Sequence, residues 1–140
     1  MVLADTNLVI PLLIEHEQRE NALDLFQRDP DWHLPDWWQI ELTNVLRNYH
    51  RAELFSLEEL LEIQRRACYL LPRANTHPVE LQITLRIACE SNISADDARF
   101  IALARTFGQK LVTEDSRLRR ACPQDTLSLP DALAQAPWTG

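Results

Sequence analysis

The chain has 140 residues, a hydrophobic fraction of 46% and a formal net charge of −7, which suit a single domain with its own core. Only two residues are glycine, and this excludes the glycine-rich loops that cradle phosphates or dinucleotides. The acidic excess argues against loose adhesion to nucleic acid or to anionic membranes. It leaves open a nuclease whose carboxylates hold metal ions.

Cysteine usage and hydropathy indicate the compartment. The three cysteines have no metal-ligand spacing and predict buried thiols in a reducing environment; they are Cys68, Cys89 and Cys122. No run approaches the roughly 18–20 apolar residues of a membrane span, and the N-terminus lacks the basic region of a signal peptide. We therefore expect a cytoplasmic protein without membrane contact, in which residues 1–140 form one domain.

Apolar runs and capping signals predict short strands that alternate with amphipathic helices. The predicted strands are residues 1–4, 32–34, 110–113 and 126–129. The predicted helices are residues 8–13, 19–28, 36–49, 56–71, 79–89, 94–107 and 117–121. Asp36 is expected as the N-cap of the third helix, Ser56 with Glu59 as a capping box and Ser94 as a further cap. The alternation predicts an α/β fold with a parallel sheet and helices on both faces.

Four acidic residues lie where the pattern predicts partly apolar surroundings. Asp5 ends the first strand, and Asp115 directly follows the strand at 110–113. Glu41 borders the apolar stripe of the third helix, and Asp97 heads a helix with a long apolar face. Because ligands gather beyond the carboxyl ends of parallel strands, we expect Asp5 and Asp115 on the same rim.

Each of these acids also has an ordinary structural explanation. Asp5 has the position of a helix cap, and Asp97 that of the acid in a capping box that begins at Ser94. Glu41 is placed to extend its carboxylate from the stripe edge into solvent, and Asp115 to stand in a turn. None of these explanations accounts for a convergence of all four acids.

A convergence of carboxylates has a chemical consequence. Carboxylates in one cleft repel each other, and their burial costs several kcal/mol unless a cation neutralises them. An all-oxygen cluster without His or Cys suits a hard ion, Mg²⁺ or Mn²⁺. Such ions activate water and shield the charge on an attacked phosphorus centre. The four acids therefore predict metal-dependent phosphoryl chemistry.

Four segments of the chain, in order and with suitable gaps, resemble the sequence of PIN domains. They are residues 5–7 (Asp-Thr-Asn), residues 38–46 around Glu41, residues 94–104 around Asp97, and residues 111–115, which end in Asp115. The match runs from residue 1 to about residue 129. Within that family the segments resemble bacterial toxins of the VapC type, compact ribonucleases that pair with a small antitoxin.

The resemblance implies a Mg²⁺-dependent endoribonuclease, with Mn²⁺ as a substitute, and a three-layer α/β/α sandwich around a short parallel β-sheet. It assigns catalysis to Asp5, Glu41, Asp97 and Asp115, and metal binding to the three aspartates. Thr6 and Thr113 would support the site by hydrogen bonding. Relatives dimerise and are inhibited by an antitoxin, so a homodimer and a small antitoxin protein are the implied partners.

One position departs from the family pattern. Asp96 stands beside Asp97, where relatives more often have an uncharged residue. Helical geometry does not separate these two acids, because both lie near the apolar face. Asp97 is preferred since Asp-Ala followed by an apolar run fits the family.

Three further groups of residues carry weaker signals. A basic cluster follows Asp115 and consists of Arg117, Arg119 and Arg120. These arginines are candidates for contact with the RNA backbone; alternatively, they form a solvated helix face. The tryptophans are candidates for base stacking, with Trp38 expected in the core and Trp37 exposed, at a subunit or partner contact; the others are Trp32 and Trp138. The histidines share no metal-ligand spacing and are expected to be structural or superficial; they are His16, His33, His50 and His77.

Two other functional classes stay open. A catalytically silent PIN-like protein-binding module would keep the acidic cleft but gain no stability from divalent metal. An aspartate phosphotransferase would need a second acid or a Lys near the nucleophile. The segment that begins at Asp5 has no acid two residues on, and Lys110 lies at the opposite end of its strand, so this class ranks last.

Overall fold

The computed structural model describes residues 1–135, which form five strands and eight α-helices. The strands are β1 (Val2–Ala4), β2 (Trp32–Pro35), β3 (Thr76–His77), β4 (Leu111–Val112) and β5 (Thr126–Leu127). The helices are α1 (Thr6–Leu13), α2 (Arg19–Arg28), α3 (Trp38–Arg51), α4 (Leu57–Leu70), α5 (Leu81–Ser91), α6 (Ala95–Phe107), α7 (Ser116–Ala121) and α8 (Leu129–Ala134). A 3₁₀ turn (Arg73–Asn75) precedes β3.

The strands form one parallel sheet in the order β3-β2-β1-β4-β5. Leu3 pairs with Leu111 and Ala4 with Val112, so β1 and β4 end side by side. The Asp5 amide then donates to the Val112 carbonyl at 3.0 Å, which extends the pairing by one residue. All three residues of β1 are buried, as expected for a parallel strand covered on both faces.

Helices flank the sheet in two groups. Helix α6 packs against β2, β4 and α5, whereas α1 contacts α2, α3 and α4, and α2 contacts α8. The apolar stripe of α3 enters the core through Trp38, Leu42 and Leu46, as predicted, and Trp32 and Phe100 are also fully buried. The predicted α/β fold with a parallel sheet between helices is confirmed.

Several boundaries differ from the prediction, for local reasons. Asp36 is not the N-cap of α3, because its amide donates to the His77 carbonyl and its own carbonyl accepts from Arg99. Trp37 is the N-cap instead, in the left-handed conformation with φ 71°. The strand predicted at 126–129 stops at Leu127 because Ser128 caps α8, its hydroxyl accepting the Asp131 N–H at 3.2 Å.

Two other expectations about side chains need correction or restriction. Cys68 and Cys89 are exposed, and only Cys122 of the three thiols is buried. The prediction for Trp138 concerns a residue outside those the structure describes. Within residues 1–135, no helix is both long enough and apolar enough to cross a bilayer.

Candidate active site

The adjacent ends of β1 and β4 bring Asp5 and Thr113 into direct contact. The Thr113 hydroxyl donates to Asp5 Oδ2 at 2.7 Å and accepts from the Asp115 amide at 3.1 Å. The Asn7 side-chain amide lies 3.4 Å from the same hydroxyl oxygen. Thr113 is fully buried, so this hydroxyl fixes the Asp5 carboxylate from beneath the rim. Asp5 is the N-cap of α1 by position but makes no side-chain capping bond.

Glu41 reaches the same region from α3 and is held by both of its oxygens. Thr6 Oγ1 donates to Oε2 at 3.0 Å, and Arg99 Nη2 donates to Oε1 at 2.9 Å. The Arg99 side chain is 12% exposed and the Glu41 side chain 26%. Glu41 therefore does not extend freely into solvent, in contrast to its simplest structural explanation.

Asp97 lies in the first turn of α6, where the Ser94 hydroxyl accepts its amide N–H at 3.1 Å. Its side chain lines an open cleft of about 660 Å³ together with Asp115, Arg117 and Arg120. The neighbouring Asp96 is 78% exposed and does not line this cleft. The structure therefore separates the two adjacent aspartates, which helical geometry alone did not.

Asp115 serves as the N-cap of α7. Its Oδ1 accepts the amides of Arg117 at 2.9 Å and Leu118 at 3.2 Å. The residue is thus both a structural cap and a lining residue of the cleft shared with Asp97. The expectation that it stands in a turn is replaced by this capping role.

The carboxylates influence one another electrostatically. Burial raises the pKa of Asp5 to about 6, and the charges of Glu41 and Asp97 add to the rise. Burial and the charge of Asp115 raise the pKa of Asp97. Burial also raises the pKa of Glu41, against the opposing effects of Thr6 and Arg99. These influences link Glu41 with Asp5, Asp5 with Asp97, and Asp97 with Asp115, and we call these four acids the acidic arc.

The residues of this arc fit a hard divalent cation in their chemistry. Asp5 is a partly buried carboxylate among like charges, and the side-chain oxygen of Asn7 is buried without a hydrogen-bond partner among residues 1–135. Across the described residues, however, no three Asp, Glu, His or Cys side chains stand close enough together to hold one ion as placed. Three of these side chains would have to lie closer together than they do here to bind one ion.

The three arginines beyond Asp115 divide into two environments. Arg117 and Arg120 line the cleft beside Asp97. Arg119 instead turns inward, donating to the Thr113 carbonyl at 2.8 Å and lying 3.9 Å from Glu114. Of the three, only Arg117 and Arg120 line the cleft.

Residues 2–122 match the PIN domain family. The chain belongs to the PIN domain family. No curated protein gave a significant match to the sequence.

Solved structures similar to this PIN domain support the same fold. PAE2754 from Pyrobaculum aerophilum has 16% identity and a TM-score of 0.73, with 95% of this chain and 86% of that chain covered. FitAB bound to an IR36 DNA fragment has 18% identity and a TM-score of 0.69, covering 92% and 95%. FitAcB from Neisseria gonorrhoeae has 18% identity and a TM-score of 0.65, covering 91% and 96%.

Two polar residues of this PIN domain were not singled out from the sequence. Arg99 lies in the apolar run that follows Asp97 in the sequence, and its guanidinium contacts Glu41 at 2.9 Å and Asp96 at 3.7 Å. Asn7 is the third residue of the first motif. A charged residue inside an otherwise apolar helix face was the available signal for Arg99.

Proposed function

We propose that this PIN domain is a Mg²⁺-dependent endoribonuclease and the toxin of a toxin–antitoxin pair, with Mn²⁺ as a substitute. The observation that carries the proposal is the arc of acids on the rim, in which Asp5 lacks a cationic partner among the described residues. Such an arrangement is costly in a protein that binds no cation. Membership of the PIN domain family supports a hydrolase of nucleic acid.

The proposed roles follow from what each side chain contacts. Asp5, Asp97 and Asp115 would bind the metal, and Glu41, held by Thr6 and Arg99, would orient the attacking water. A bound divalent ion would supply an activated water and charge shielding at the phosphate. Thr113 would keep the Asp5 carboxylate in one orientation through its 2.7 Å hydrogen bond.

RNA would approach along the cleft beyond the strand ends. Arg117 and Arg120 line this cleft and offer guanidinium groups that suit phosphate oxygens. Arg119 would act indirectly, because its guanidinium holds the Thr113 carbonyl and thereby the end of β4.

The partners of the proposal are an antitoxin and a second copy of the chain. An acidic rim is suited to accept a basic side chain from an inhibitory protein. From the acidity of the rim and the resemblance to VapC-type toxins, we propose a small antitoxin that blocks the rim, and a homodimeric cytoplasmic toxin.

The test is cleavage of end-labelled single-stranded RNA by purified protein in Mg²⁺, Mn²⁺ or EDTA. Asp97→Asn should lower the rate at least about a hundredfold, since it removes a proposed ligand. Asp131→Asn is the matched control, because Asp131 has the same position in α8 relative to Ser128 and a similar N–H bond, at 3.2 Å. Wild-type protein that is folded but inert in both metals would overturn the proposal.

A catalytically silent binding module is the second candidate. It is favoured by the open spacing of the acids, no three of which are poised to share an ion within residues 1–135. It predicts a melting temperature that Mn²⁺ does not change.

A further inference from the structure

Trp37 combines two features that are unusual for a tryptophan. Its side chain is 71% exposed, and its backbone adopts φ 71°, a conformation that is costly for residues other than glycine. Trp37 thus presents a large aromatic ring to solvent at a position that glycine would occupy without strain. The exposed ring is available to stack against a flat ligand.

The ring lies on the wall of a cleft that adjoins the acidic arc. This cleft has a volume of about 350 Å³ and is lined by Trp37, Ile40, Glu41, Asn44, Asp96 and Arg99. Ile40, Glu41 and Asn44 follow Trp37 by three, four and seven residues, which places all four on one face of α3 and its cap. Glu41 belongs both to this cleft and to the proposed catalytic site.

The charges of the cleft disfavour phosphate as its ligand. Arg99 is the lining cation, but it is already bound to Glu41 at 2.9 Å, to Asp96 at 3.7 Å and to the Asp36 carbonyl. The lining therefore carries one net negative charge. The exposed Asn44 amide offers a donor and an acceptor, and Asp96 offers an acceptor. A flat, uncharged ring with hydrogen-bonding edges matches these groups.

We propose that this cleft is a subsite for one unpaired nucleobase of the RNA substrate, which stacks on the Trp37 indole beside Glu41. This inference rests on the proposed nuclease function. Base–aromatic stacking tolerates every base and requires a base that is free of its own duplex. The donor and acceptor groups of Asn44 and Asp96 would contact the base edge. The subsite would select single-stranded RNA and place a phosphodiester bond near the acidic arc.

The experiment compares Trp37→Gly and Trp37→Phe with wild type on a single-stranded RNA oligonucleotide whose cleavage site has been mapped. Glycine accepts the positive φ without strain, so this variant should fold at least as well while it loses the ring. We expect kcat/KM to fall about ten- to a hundredfold for Trp37→Gly, and by only about threefold for Trp37→Phe, which retains a stacking ring. Tyr69→Ala, which removes an exposed aromatic residue outside the cleft, should match wild type.

Abasic substitution identifies the contact. Oligonucleotides that lack one base, at each position flanking the cleavage site in turn, should include one on which wild type and Trp37→Gly cleave at equal rates. A loss for Trp37→Gly that persists on every abasic oligonucleotide would overturn the proposal. So would an unchanged rate for Trp37→Gly together with weaker self-association or antitoxin binding, which would make Trp37 a protein contact.

Binding separates this inference from the nuclease proposal. If wild type cleaves no RNA, fluorescence anisotropy with the same labelled oligonucleotides still reports the subsite. Wild type should then bind the intact oligonucleotide about tenfold more tightly than Trp37→Gly, and this difference should vanish on one abasic oligonucleotide. Equal binding of the intact oligonucleotide by the two proteins would overturn the subsite.

Discussion

The hydroxyl of Thr113 connects three parts of the acidic rim, since it binds Asp5 Oδ2, the Asp115 amide and the Asn7 amide. Thr113→Val keeps the shape of the side chain but removes these bonds. We expect a loss of about 1–3 kcal/mol in the free energy of unfolding and a fall in kcat/KM of tenfold or more. Urea unfolding and RNA cleavage measure the two effects. Thr113→Ser retains the hydroxyl and should recover most of both, and failure of this rescue would contradict the assigned role.

The pair between Arg99 and Glu41 is partly buried and should be worth more than an exposed pair. Arg99→Gln leaves the Glu41 carboxylate without its cation, and we expect a cost of about 1–3 kcal/mol in the free energy of unfolding. Arg65→Gln is the matched control, because Arg65 pairs with Glu62 at 2.6 Å in an exposed position. That variant should show no measurable loss. Equal losses for both variants would contradict the special environment of Glu41.

The raised pKa of Asp5 makes stability depend on pH in a defined direction. The folded state holds the proton of Asp5 up to about pH 6, whereas the unfolded chain releases it near pH 4. The stability contributed by this group therefore falls as the pH rises from about 4 to 6, and it stays low above pH 6. In EDTA at pH 7.5, Asp5→Asn should be more stable than wild type by thermal melting. A less stable variant would contradict an unneutralised Asp5.

At the scale of elements, the edge strand β3 is fastened to β2 by two histidines. His33 Nδ1 lies 2.7 Å from His77 Nε2, and His33 Nε2 lies 2.9 Å from Asp31 Oδ1. The ring centroids are 5.0 Å apart with planes at 14°. Such a short contact between ring nitrogens requires that one of them accept a hydrogen bond, so at least one ring must be neutral. These two histidines therefore have a structural role.

Burial and the proximity of His33 lower the pKa of His77, against the opposing charge of Asp36. The unfolded chain then binds a proton more readily than the folded one. Stability is consequently present above about pH 6.5 and is lost as the pH falls below it. His77→Gln should reduce this loss between pH 7.5 and 5.5, whereas His50→Gln on the exposed face of α3 should not. The comparison should be made in the Asp5→Asn background, which removes the opposite contribution of Asp5. If His77→Gln leaves the pH dependence of stability unchanged in that background, the assignment is contradicted.

The sequence predicted those features that depend on local pattern or on the rules of parallel sheets. The apolar stripe of α3 and the meeting of Asp5 with the end of β4 belong to this group. The two-residue β3 was not predicted because it contains no apolar run. The left-handed conformation of Trp37 was not predicted because Asp36, one residue earlier, has the residue type of a helix cap. The contact of Arg99 with Glu41 depends on the angle between α3 and α6, which no local pattern specifies.

At the scale of the whole molecule, the proposed metal links function to stability. An ion that binds only the folded state stabilises it by RT ln(1 + [L]/Kd), about 2.7 kcal/mol at a hundredfold excess over Kd. We expect Mn²⁺ to raise the melting temperature of wild type, and to have little effect on Asp5→Asn or Asp97→Asn. Asp131→Asn should respond like wild type. A wild-type protein that does not respond would favour the silent binding module.

The most direct measurement is anomalous diffraction from crystals of the wild-type protein soaked in Mn²⁺. The proposed metal site predicts a strong anomalous peak at the rim, within about 2.5 Å of carboxylate oxygens of Asp5 and Asp97. Well-diffracting crystals with no peak among Asp5, Glu41, Asp97 and Asp115 would contradict it.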